Sequence, residues 1–185
     1  MDKKRNFYKN TYHHLYNRGA NKAAIFFERE NYLYFLTRIK YYSGKYKIKI
    51  LAYCLMPNHF HIFLKQTTND YSISMFISSL LNSYVKSINR KYEKRGTLFE
   101  SKTKNKQIED ETYFKWMIKY ILENPVNAGL AENICDWEFS NAKDLLGLRN
   151  GKLTDVEYVK SFFQSRKVMI EFLTDKSIKV NYDFE

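Results

Sequence analysis

The sequence predicts an α+β domain. Its centre is a ferredoxin-like, split-βαβ antiparallel sheet with helices on one face, followed by one further helix and a C-terminal helical extension. Three observations carry this. Strand-like segments fall at 11–18, 45–56, 59–65 and within 97–108. Amphipathic helical segments fall at 28–42 and 72–91, and a third begins at Asp110. Their order, β-α-β-β-α-β plus a helix, is that of the split βαβ motif.

Each element has its own signal. Residues 11–18 alternate as a strand does. In 28–42, Tyr32, Phe35, Leu36 and Ile39 recur at helical spacing, and Gly44 supplies a stop. Residues 45–56 read as an Ile- and Tyr-rich strand, and Pro57-Asn58 makes a tight connection into the strand 59–65, closing a hairpin. A polar loop at 67–70 leads into the helix 72–91, whose Ile73, Phe76, Ile77, Leu80, Leu81, Tyr84, Val85 and Ile88 line one face. Gly96 ends the basic turn that follows. The helix from Asp110 carries an apolar stripe of Met117, Ile118, Ile121 and Leu122 and runs into a stop at Pro125 and Gly129. After Gly147 the chain changes character. Arg149-Asn150-Gly151-Lys152 reads as a turn, 156–173 as a helix, and 175–185 as a polar, loosely ordered tail. The expected division is therefore 1–147 for the main domain and 148–185 for a helical extension packed on it.

Composition narrows the class of function. At 185 residues and 44% hydrophobic, the chain can fold around a proper core. Thirty-one Lys and Arg against 20 Asp and Glu give a net charge of +11, which favours a polyanionic partner. That partner is expected to be nucleic acid and not membrane, because no long apolar run occurs and none follows Met1-Asp2-Lys3-Lys4-Arg5. Cys54 and Cys135 lie far apart and read as small packing residues, not as a disulfide framework or zinc site. A reducing, cytoplasmic and nucleoid-associated setting fits. With 16 Tyr and 14 Phe, no tyrosine stands out by composition. Most aromatics are expected in the core; a minority interleaved with Lys and Arg could stack on unpaired bases.

The residues that carry chemistry are His59-Phe60-His61, on the strand after Leu55-Met56-Pro57-Asn58. Strand side chains alternate, so the two imidazoles share a face while Phe60, Ile62 and Leu64 point to the core. Such a pair is spaced to share a divalent ion, although alone it reads first as two strand histidines on a polar surface. About sixty residues on, Tyr120 and Asn124 lie one helical turn apart on the helix that ends in Asn124-Pro125-Val126-Asn127. A residue before proline is pushed from helical angles, which sets Asn124 toward the helix end.

The Pro-Asn-His-Phe-His-Ile strand and the Tyr-Ile-x-x-Asn-Pro-Val helix together resemble the HUH single-strand nucleases. The resemblance is to the single-tyrosine transposases of insertion-sequence type, especially the REP-associated tyrosine transposases of bacteria. Tyr12-His13-His14-Leu15-Tyr16-Asn17-Arg18-Gly19 is similar to their first strand, and Asp136-Trp137-Glu138-Phe139-Ser140 to their later segment; the likeness covers residues 8–147. It implies that Tyr120 is the nucleophile and that His59, His61 and Asn124 hold a divalent ion, magnesium or manganese, with water and the scissile phosphate completing its shell. Tyrosine is a poor nucleophile at its ordinary pKa, and a phosphodiester repels attack; a cation offsets both. The implied chemistry is metal-dependent cleavage of single-stranded DNA through a 5′-phosphotyrosine, with strand transfer, at hairpin-flanked repeats in DNA transposition. The implied partner is single-stranded DNA with hairpin-forming repeats, bound by a monomer or homodimer.

Candidate DNA contacts are His14, Asn17 and Arg18 on the first strand, Arg90 and Arg95 after the second long helix, and Lys102 and Lys104, which alternate with Lys106. Lys115 and Lys119 are one turn apart beside Tyr120. Each has a plainer reading: His14 as a satisfied sheet histidine, the lysines and arginines as a solvated face. Replication initiators of the same superfamily resemble a Tyr-x-x-Lys helix, whereas Tyr120 is followed by Glu123. Relaxases show a third clustered histidine and an N-terminal tyrosine. A host-adapted hairpin-binding module without catalysis stays open as an alternative.

Overall fold

The structure, a computed structural model, describes residues 7–177; the basic start at 1–5 and the tail from 178 on lie outside the described residues. Four strands form one antiparallel sheet: β1 (Tyr12–Arg18), β2 (Ile48–Met56), β3 (His59–Gln66) and β4 (Lys104–Ile108), in the order β2-β3-β1-β4. This is the split βαβ arrangement, with the second-half strands laid beside and between those of the first. β1 pairs with β3 on one side and β4 on the other.

α1 (Arg29–Lys45) and α2 (Ile73–Lys91) cover one face of the sheet. Leu15, Tyr53, Leu55, Phe60, Ile62 and Leu64 meet Phe35, Ile39, Phe76, Leu80 and Tyr84 there, all buried. α2 starts where Ser72 caps it by accepting from the Met75 N–H. α1 runs through Gly44, which was expected to stop it; termination falls after Lys45, where Lys47 turns the chain at φ 52°. Gly44 lacks the positive φ that would break the helix, so it costs only propensity.

α3 (Glu111–Asn127), capped by Asp110, crosses the other face. Its Phe114, Met117, Ile118, Ile121 and Leu122 pack on Leu51, Ala52, Cys54, Met56 and Phe63. A β-bulge between Ile50 and Ala52 turns two successive β2 residues, Leu51 and Ala52, to this side. Burial on both faces explains why β2 reads as a continuous apolar run.

The later chain covers the β2 edge. Leu55 N–H donates to the Phe139 carbonyl at 3.0 Å, Asp155 N–H to the Ile50 carbonyl at 3.1 Å, and Asn141 Oδ1 accepts from Tyr53 N–H at 2.9 Å. This blocks the unpaired row that an edge strand otherwise presents. After a short α4 (Ala142–Leu145), the single helix expected at 156–173 is two pieces, α5 (Val156–Lys160) and α6 (Arg166–Thr174), separated by a turn. Ser165 breaks the run by capping α6 through an accepted bond from Val168 N–H at 3.2 Å, while Phe162 is left to stack on Phe114 with ring centroids 3.9 Å apart. Val159, Met169 and Leu173 thereby join the α3 core, and Tyr158 bonds the Tyr12 hydroxyl at 2.6 Å. The strand expected within 97–108 shortens to Lys104–Ile108. Cys54 and Cys135 form no disulfide. Among the described residues, no helix is long and apolar enough to cross a membrane.

Candidate active site

The two-residue turn Pro57-Asn58 aims β3 back along β2, and its carbonyls accept from Ile25, Phe26 and Gly19. The turn is therefore rigid, and the residues just after it are well placed to hold a site. His59 and His61 project from one face, with ring centroids 5.0 Å apart, while Phe60 goes through to the α1–α2 core against Phe35. In the β1–β3 register, Arg18 lies opposite His59 and Tyr16 opposite His61. A Cβ on Gly19 would fall 2.0 Å from the Ala23 carbonyl oxygen, so only glycine lets the chain turn away immediately after Arg18.

α3 crosses over this face and delivers Tyr120. Its ring stands edge-on to His61 at 5.7 Å and to His14 at 6.1 Å. One turn later, Asn124 donates to the Tyr120 carbonyl at 2.9 Å, and its side chain also hydrogen-bonds His61. Asn124 lies inside the helix, not beyond its end: α3 continues through Pro125 to Asn127 and closes at Gly129, where Leu130 N–H reaches the Pro125 carbonyl at 2.8 Å. The proline is buried within the last turn, and packing there holds the preceding residue helical against its local preference.

His61 is fully buried, which pushes its pKa well below the ordinary imidazole value, and the nearby His14 and His59 push the same way. His14, expected as a DNA contact, is itself fully buried; its Nε2 lies 3.0 Å from His61 Nδ1, the two rings are within 14° of parallel, and Tyr16 stacks near both, 4.9 Å from His14 and 6.1 Å from His61. Asn17 projects with the opposite parity and is buried too: its amide donates to the Ser101 carbonyl at 3.0 Å, fastening the loop before β4.

Beside the histidines opens a small cleft of about 100 Å³, lined by Tyr16, Asn17, Arg18, His59, His61, Glu100, Ser101 and Lys104. Arg18 and Lys104 give it positive charge, and the Lys104 ammonium sits 5.4 Å over the Tyr16 ring. The structure thus brings together His59, His61, Tyr120, Asn124, His14, Asn17, Arg18 and Lys104. Five predicted contacts fall elsewhere. Lys102 precedes β4 and lines a neighbouring groove beside α2, and Arg90 and Arg95 are exposed at the far end of α2 and beyond it. Lys115 pairs with Glu111 at 2.8 Å.

Lys119 is a correction. Its side chain is wholly buried, paired with Glu123 at 2.9 Å and donating to the carbonyls of Phe172 and Asp175 at 3.0 and 2.7 Å. Neighbouring helix residues point 100° apart, so Lys119 faces α6 while Tyr120 faces the histidines. Tyr16, Glu100 and Ser101 were missed. Tyr16 shares strand parity with His14 and was within reach of the alternation rule; Glu100 and Ser101 come from a loop without period.

Comparison with known proteins follows the same lines. The family described as transposase IS200-like matches residues 7–124. The chain belongs to that family. A Haemophilus influenzae protein named as a candidate REP-associated tyrosine transposase is 23% identical over 105 residues, 52% of this chain; the chain spans about three-fifths (60%) of that relative. Among solved structures, a REP-associated tyrosine transposase bound to a REP hairpin superposes with a TM-score of 0.68 at 17% identity, covering 84% of this chain and 94% of that one. At that identity the match speaks for the fold, which this member of the IS200-like family shares.

Proposed function

We propose that the chain is a metal-dependent single-stranded DNA endonuclease and strand transferase, acting through a 5′-phosphotyrosine at hairpin-flanked repeats in DNA transposition. The observation that carries this reading is the meeting of Tyr120 and Asn124, from α3, with His59 and His61, from β3, beside a cationic cleft. The hairpin named with the similar structure supports a hairpin-bearing single strand as the substrate class.

The donor set suits a divalent ion. Among the described residues, no three His, Cys, Asp or Glu side chains are grouped to hold a metal, so the ligands would be two imidazoles and the amide of Asn124. A buried, neutral His61 keeps a lone pair for coordination, and an amide oxygen suits magnesium or manganese. When bound, such an ion offsets the charge of the scissile phosphate and orients it for in-line displacement. The protein's own residues do the rest. Arg18 and Lys104 hold the phosphates of the strand in the cleft. Tyr120 brings its hydroxyl to the phosphorus: the Oη–P bond forms, the P–O3′ bond breaks, and in net terms the phenolic proton leaves with the 3′-hydroxyl. Because one phosphoester replaces another, the reverse step joins a new 3′ end without an energy source.

The test is cleavage of a single-stranded hairpin oligonucleotide with manganese or magnesium, beside the same sequence as a perfect duplex. The hairpin should be cut, the duplex spared, and chelator should stop the reaction. Binding without cleavage under all these conditions would instead favour a hairpin-binding module.

A further inference from the structure

Among the described residues that line the cleft, Glu100 is the one carboxylate. Its place is fixed by the backbone. Its N–H donates to the Arg18 carbonyl at 2.9 Å, Phe99 before it is buried against Phe60, and the carbonyl of Ser101 after it accepts from the Asn17 amide at 3.0 Å. The side chain itself is exposed. Among the described residues it makes no ion pair, although Arg18 and Lys104 line the same cleft. Nor does it join His59 and His61 as a ligand, since among the described residues no three His, Cys, Asp or Glu side chains are grouped to hold a metal. A carboxylate repels phosphate, so in a cleft that takes a DNA strand it opposes the hold on the backbone. Its favourable partner on such a strand is a base edge that donates hydrogen bonds.

We infer that Glu100 is a specificity-determining residue that accepts from N1–H and N2–H of one unpaired guanine entering the cleft. This rests on the single-strand reading above and adds the base that the strand should carry. The choice of base follows from donor patterns. On its Watson–Crick edge, guanine sets two donors side by side. Adenine and cytosine each set an amine beside a ring nitrogen that accepts, and thymine flanks one N–H with two carbonyl oxygens. A carboxylate only accepts, through two oxygens, so guanine alone satisfies both. In a duplex that edge is committed to cytosine, so the contact forms only on an unpaired strand. The charged groups of the cleft thereby divide the work: Arg18 and Lys104 take phosphates, and Glu100 takes a base. Because Phe99 and Ser101 anchor the chain on both sides of it, little ordering is needed on binding.

The test is binding of a DNA hairpin with single-stranded thymidine flanks, in which one guanine is placed at each flank position in turn. Fluorescence anisotropy in the presence of chelator reads affinity without cleavage. At one position guanine should raise wild-type affinity about 5–100-fold over thymine. Inosine there, which lacks the N2 amine, should lose most of the gain, and 7-deazaguanine, which keeps both donors, should retain it. Glu100→Gln should move affinities in opposite directions. The guanine strand should bind more weakly, and the all-thymine strand more tightly, because the repelling charge is gone. Preference in the variant should pass to adenine or cytosine, whose edges pair a donor with an acceptor as the Gln amide does. A wild type indifferent to the flank base would overturn the inference. So would a guanine preference that survives Glu100→Gln, or a variant whose affinity shifts alike for every strand. Should the guanine preference depend on Glu100 while the wild type cuts no strand with manganese or magnesium, the base contact stands and the nuclease reading falls.

Discussion

Single side chains show where adjacency in sequence misleads. Lys119 and Tyr120 are neighbours, yet one is a buried structural cation and the other faces the histidines. Lys119→Ala should destabilise the protein by about 3 kcal/mol, because Glu123 and two carbonyls would be left without their shared donor. Urea unfolding reads this, and a loss below about 0.5 kcal/mol would contradict the placement. His13 gives a pH prediction. It is buried between Asn105 and Thr11, and burial pushes its pKa down to about 4 from 6.5. The unfolded chain therefore binds a proton that the folded one refuses between those values. The stability this neutral ring contributes is complete above pH 6.5 and lost as pH falls toward 4, by roughly 3 kcal/mol. His13→Gln should flatten that part of the stability–pH curve; an unchanged slope would show that His13 does not titrate as described. At this scale the sequence was legible for His59, His61, Tyr120 and Asn124, whose spacing sets their faces. It was not legible for His14. Alternation says that residues 12, 14, 16 and 18 share a face, but not that α3 roofs part of that face and leaves only its end open.

Elements explain how the site holds its shape. β3 contributes the imidazoles and α3 the tyrosine, so the site depends on the angle at which α3 lies across the sheet. That angle is set by Leu51, Ala52 and Phe63 beneath the helix and by α5 and α6 beside it. Phe162, in the turn between α5 and α6, stacks on Phe114 of α3. Phe162→Ala should cost about 3 kcal/mol and loosen α3, measurable as lost stability and faster amide exchange in α3. Exchange unchanged across α3 would mean that the extension does not brace it. Strand and helix order was readable because period 2 and period 3.6 separate cleanly in 11–18, 59–65 and 72–91. The break at Ser165 was not, since Val159, Phe162, Met169 and Leu173 keep a helical rhythm across a gap whose cap is a single polar residue.

The whole molecule joins a +11 charge to a cleft at one end of the sheet. The charge should let duplex DNA bind through counterion release, with affinity falling steeply as salt rises. Hairpin binding should fall less steeply, because stacking and shape add a part that salt does not screen. Parallel salt slopes for hairpin and duplex would argue against single-strand recognition. The most direct test of the central claim is to trap the covalent adduct and find its site. Wild-type protein, incubated with a single-stranded hairpin oligonucleotide and manganese, should form a denaturant-resistant adduct. After trypsin, the nucleotide should sit on the peptide 120–143, which holds one tyrosine, Tyr120. Tyr120→Phe should give no adduct while still binding the hairpin. A nucleotide on any other peptide, or an adduct that survives Tyr120→Phe, would contradict the account.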